Sequence, residues 1–114
     1  MARVAAFVPD LLFGSNVIGS LRAAGHEAVL VSTLHDVCAE SADVLVVDLT
    51  ADAPERIEQV RAAEHLDAVV KLAFYSHVEA DVRAAAQAAG FELVVPRSRM
   101  AREGAALVTR LAGG

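Results

Sequence analysis

The chain alternates short apolar runs with longer segments of helical period. Residues 3–8 form an apolar run closed by Pro9 and Asp10, which reads as a buried strand. Phe13, Val17, Ile18 and Leu21 then recur at helical spacing over 12–24, and Gly25 ends the pattern. The stretch EAVLVS at 27–32 predicts a second strand, and 34–40 a short second helix. Residues 43–49 (DVLVVDL) are apolar through their middle, the pattern of a strand covered on both faces. Pro54 suits the first turn of a helix running to about residue 64, with Asp52 as its cap. A fourth strand is predicted at 67–74, an Ala-rich helix at 78–89 stopped by Gly90, a fifth strand at 91–95 and a last helix at 98–111.

Strands separated by single helices predict parallel βαβ crossovers with helices on both sides of one sheet. The expected fold class is α/β: a flavodoxin-like, doubly wound three-layer sandwich whose five-stranded parallel sheet has the order 2-1-3-4-5. Residues 1–114 read as one domain. In such sheets, ligands gather at the carboxyl ends of the strands, where the order switches. That places Asp10, Asp48 with Thr50, Ser76 with His77, and Arg97, Ser98 and Arg99 along one rim.

Composition narrows the chemistry. The aromatic residues are Phe7, Phe13, Phe74, Tyr75 and Phe91, so the core must come from Val, Leu, Ile and Ala. The net charge is -5, which disfavours direct nucleic-acid binding, where Lys and Arg neutralise phosphates. The single cysteine, Cys38, cannot form an internal disulfide. No leader-like or membrane-spanning run is apparent, so the expected location is the cytoplasm, off the membrane. No enzyme is expected: Ser76 and His77 adjoin in sequence, which does not establish a nucleophile–base geometry.

The rim residues each carry a structural and a chemical reading. Asp48 closes the most buried strand, as a phosphoryl-accepting nucleophile, as a metal ligand, or as the acceptor of an Asx-type turn. Asp10 is either the N-cap of the first helix or a cation ligand facing Asp48. Ser76 or His77 caps the next helix or lines the site. Arg97, Ser98, Arg99 and Arg102 surround the start of the last helix, as an anion-binding turn or a solvated basic one. Lys71 sits inside the fourth strand and must either reach water or partner an acid.

At Asp48 the chain resembles a known family. ADVLVVDL is similar to the third strand of the receiver domain of two-component response regulators, which ends in the phospho-accepting aspartate, and Pro96 resembles the family's Lys-Pro junction. The resemblance spans essentially the whole chain and implies Asp48 as the phospho-acceptor and Asp10 with Asp48 as a weak Mg2+ site. The departures matter as much. One of two adjacent acids after strand one is missing, Ala73 stands for the hydroxyl after strand four, and Val95 stands for the lysine before the proline. Fewer carboxylates weaken a magnesium site, and the lost cation and hydroxyl remove stabilisation of the phosphoryl group.

The resemblance therefore implies a degenerate, stand-alone receiver acting as a signalling or protein-binding module, with phosphorylation weak or absent and no cofactor required. Its implied partners are another protein and a second copy, through the fourth and fifth helices (78–89 and 98–111), where small alanine side chains allow close approach. One alternative is a receiver still phosphorylated at Asp48 with an altered metal site. Another is a small-ligand or nucleotide-binding domain, against which Gly14 and Gly19 fail to form a GxGxxG pattern.

Overall fold

Five consecutive residues, Val44–Asp48, are all buried and form the central strand, β3. A computed structural model describes residues 2–37, 41–76 and 80–113. Around β3, the strands β1 (Arg3–Phe7), β2 (Glu27–Leu30), β4 (Val70–Tyr75) and β5 (Leu93–Pro96) form one sheet. Every neighbouring pair is parallel and the order is 2-1-3-4-5. In register, Phe7 pairs with Val47, and Asp48 with Phe74.

Side chains alternate between the two faces, as the strand period requires. Val4, Ala6, Val44, Val46, Leu72, Phe74 and Val95 meet α1 (Leu11–Ala23) and α4 (Arg97–Gly113) through Val17, Ile18, Leu21, Met100, Leu107 and Val108. Ala5, Phe7, Leu45, Val47, Ala73 and Val94 face α2 (Ala53–Ala62) and α3 (Ala80–Ala88), with Ile57, Val60 and Ala86 covering them. Each fully buried Val, Leu or Phe stabilises the fold by about 1.5–3 kcal/mol relative to exposure. Among the described residues, no helix is long and apolar enough to cross a membrane.

Two glycines set the helix-to-strand turns. Gly25 (φ 93°) and Gly90 (φ 98°) take the left-handed conformation. His26 N donates to Leu21 O and Phe91 N to Ala86 O, the six-to-one bond of a Schellman stop, which only a residue without Cβ closes cheaply.

The β2–β3 connection departs from expectation. In place of the helix predicted at 34–40 there is one 3-10 turn, Leu34–Asp36. Val37 turns extended (φ -85°, ψ 122°) and its side chain enters the core, which ends the turn. Residues 38–40 of that expected helix lie outside the described residues. Asp52 also differs: it sits in the left-handed region (φ 54°) and its side chain makes no capping bond. An N-cap needs an extended backbone to aim its oxygen at the first helical N–H groups. Strand β4 begins at Val70 instead of 67, because Leu66 O and Glu64 O first accept turn bonds from Val69 N and Asp67 N.

Candidate functional site

The carboxyl rim carries two aspartates, each engaged by an arginine that also lies over a phenylalanine. Asp48 ends β3 with its side chain 5% exposed. Its Oδ1 accepts from Thr50 N at 2.8 Å and from Thr50 Oγ1 at 2.5 Å. This is the Asx-type turn open at the sequence level, and it satisfies one carboxylate oxygen twice over. Arg56, on the first turn of α2, donates from Nη1 to Asp48 O at 2.7 Å, and the same nitrogen stands 3.9 Å from Asp48 Oδ2. The Arg56 guanidinium lies 5.8 Å from the centre of the Phe7 ring.

Asp10 forms the second arrangement. Its backbone is extended and its Oδ1 accepts from Phe13 N at 3.0 Å, so it caps α1. Its Oδ2 accepts from Arg97 Nη2 at 3.3 Å. The Arg97 guanidinium lies 4.2 Å from the Phe13 ring centre, and Phe13 in turn lies 5.0 Å from Phe74. Because Phe74 pairs with Asp48 in register, the aromatic stack runs from Arg97 toward the strand that bears Asp48.

The other expected residues spread along the same rim without joining these groups. Ser76 is exposed at the end of β4 and Ser98 is exposed in the first turn of α4. Arg99 pairs with Glu103 one turn along its own helix, Nε to Oε2 at 3.6 Å. His77 lies outside the described residues. Lys71 is elsewhere altogether: its Nζ donates to Leu66 O at 3.0 Å and Val69 O at 2.9 Å, near the amino end of β4. It caps a turn and partners no carboxylate at the rim. Val95 is buried in the apolar core.

Arg56 escaped the sequence reading, although a signal for it existed. Ala53, Ile57 and Val60 are the buried positions of α2, and residue 56 falls inside that stripe. A charged residue on a core-facing helical stripe needs a partner, and the nearest strand end carries Asp48. Gly14, which does not complete a nucleotide motif, has a packing role. A Cβ there would stand 2.9 Å from Leu30 Cδ2, so it lets α1 approach β2.

The donor set does not suit magnesium. Octahedral Mg2+ needs several free, hard oxygens, whereas Asp48 Oδ1 is taken by Thr50, both Asp10 oxygens already accept bonds, and Asp48 Oδ2, which accepts none, faces the Arg56 guanidinium at 3.9 Å. Among the described residues, no group of three or more His, Cys, Asp or Glu is placed to hold a metal ion.

No protein-family profile matches the sequence, and no curated protein matches it. Solved structures do. A CheY-like receiver domain from Methanospirillum hungatei JF-1 superposes with TM-score 0.84 at 14% identity, over 99% of this chain and 94% of that one. The chain has the receiver fold. A protein assigned to pilus assembly (CpaE) from Burkholderia thailandensis E264 matches the receiver fold of this chain equally well, with TM-score 0.84, 13% identity and 100% of both chains covered. An atypical orphan response regulator described as having a phosphorylation-independent mechanism also matches, at a lower TM-score of 0.75 and 17% identity, over 97% of this chain and 95% of that one. The receiver fold and its strand order thus agree with the sequence reading.

Proposed function

We propose that this chain is an atypical receiver module that signals by docking to a protein partner in the cytoplasm, that it is not an enzyme, and that Asp48 is a poor phosphoryl acceptor. The observation that carries this reading is the state of Asp48: nearly buried, bonded twice through Oδ1 to Thr50, and flanked by the Arg56 guanidinium. With Oδ1 held by two Thr50 donors and Oδ2 facing the Arg56 guanidinium at 3.9 Å, the charge of the carboxylate is partly neutralised, which weakens it as a nucleophile toward a phosphoryl group. Arg56 and Arg97 supply the positive charge that a bound cation supplies at a metal-dependent rim.

Two likenesses of fold support this use: an orphan regulator described as phosphorylation-independent and a protein assigned to pilus assembly. Leu11 and Leu12, 74% and 77% exposed in the first turn of α1, give the rim an apolar contact area. Self-association through α3 and α4 belongs to the same reading. On α3, Ala84, Ala85 and Ala88 are exposed, and small side chains allow another helix to approach closely.

The test is incubation of the whole chain with acetyl phosphate and Mg2+, followed by intact-mass measurement, beside Asp48→Asn. The expected result is no added phosphoryl group on either protein. An adduct on the wild-type chain that Asp48→Asn abolishes would establish the opposite reading, a receiver phosphorylated at Asp48.

A further inference from the structure

We propose that the outer edge of β2 is a latent pairing surface for a second copy of this chain, held closed by Arg22. β2 is the edge strand beside β1. Glu27 N donates to Ala2 O and Val31 N to Ala6 O. In a parallel ladder, alternate residues bond to one neighbour, so 27, 29 and 31 face β1 while Ala28 and Leu30 turn their N–H and C=O groups outward. Such a row of outward groups is a template for another strand.

Arg22 covers that template. It sits in the last turn of α1, and the Gly25 turn brings the chain back beside it as β2. Its Nε and Nη2 both donate to Ala28 O, at 3.1 and 2.9 Å. A strand arriving at the edge must displace this guanidinium, and the side chain also brings a charge to the approach.

The edge fits its own copy. In a two-fold antiparallel pairing, Ala28 of one copy meets Leu30 of the second copy, and the reverse holds across the axis. Both are outward-facing residues, so they form the hydrogen-bonded pairs, and Val29 meets the second copy's Val29 as the non-hydrogen-bonded pair with the closest side chains. Val29 is 54% exposed, so its side chain is open to such a contact. The pairing is isologous and closes as a dimer. It uses a different surface from α3 and α4 and does not depend on the state of Asp48.

The experiment uses the full chain with Arg22→Met and, independently, Arg22→Gln. Both keep the aliphatic stem and remove the guanidinium, and circular dichroism reports folding. Sedimentation velocity across a concentration series and amide hydrogen exchange are the readings. The expected result is self-association at least about tenfold tighter than wild type, with slowed exchange at the Ala28 and Leu30 amides. Adding Ala28→Pro removes an outward N–H without touching the β1 ladder, and it should return the variant to the wild-type association state. Unchanged association with fast exchange at Ala28 and Leu30 in a folded variant overturns the proposal. So does tighter association that Ala28→Pro leaves intact, since the contact would then lie elsewhere.

Discussion

The Arg97 guanidinium lies 4.2 Å from the centre of the Phe13 ring, so the first turn of α4 is fastened to the first turn of α1. The same side chain bonds the Asp10 carboxylate that caps α1. One residue thus stabilises a helix start, an aromatic stack and the approach of two helices. Cation–π contacts at partly exposed sites contribute about 0.5–1 kcal/mol. A double-mutant cycle of Arg97→Ala with Phe13→Leu should give a coupling energy of about that size in urea denaturation. Additive single losses would show that the stack has no energetic consequence.

Arg56 is expected to matter more, because its partner is buried. Arg56→Met leaves the Asp48 carboxylate without its cation and Asp48 O without a donor. The expected loss of stability is about 1–3 kcal/mol. Combining it with Asp48→Asn should cost less than the sum of the two, since the amide needs no counter-charge. Urea midpoints of the four proteins in the cycle are the measurement.

Lys71 is 6% exposed, and its ammonium bonds two backbone carbonyls. Lys71→Met keeps the stem but takes the ammonium from both carbonyls in the turn before β4, leaving Leu66 O only its turn bond from Val69 N. A loss of about 1–3 kcal/mol is expected, with the amides of 66–70 exchanging faster. A neutral or stabilising effect would mean that water reaches those carbonyls.

At the amino rim, Arg3 holds Asp43 below the ordinary aspartate value, first through its side-chain hydrogen bond and then through its backbone N–H. The folded state therefore binds that proton less readily than the unfolded chain. The contribution is full above the ordinary aspartate range and is lost as pH falls through the lower folded value. Asp43→Asn should flatten the acid limb of the stability profile in that window and leave the neutral side nearly level. Denaturation midpoints from neutral to strongly acid pH measure it.

Where periodicity was strong, the fold was legible in the sequence. The apolar middle of 43–49 and the glycines at 25 and 90 located β3 and two helix stops, and the alternation of elements gave the strand order. The segment after β2 was not, because Val37 obeys tertiary packing over local preference. At the rim, Asp10 and Asp48 were found from their positions at strand ends, but their partners were not. Arg56 and Arg97 reach them from α2 and α4, and such pairings depend on how helices are laid across a sheet, which spacing along one element does not encode. Lys71 was recognised as anomalous, yet its carbonyl partners lie in a turn that no motif announces.

The sheet is cushioned unevenly, and that asymmetry carries over into how the molecule breathes. The edge strand β2 has the full helix α1 on one side, while the described residues of the connection that follows it form a tight turn at Leu34–Asp36. Local opening should therefore begin at that flank, at a free-energy cost well below that of global unfolding. The central strand β3, buried at every position, should be the last part of the chain to let go.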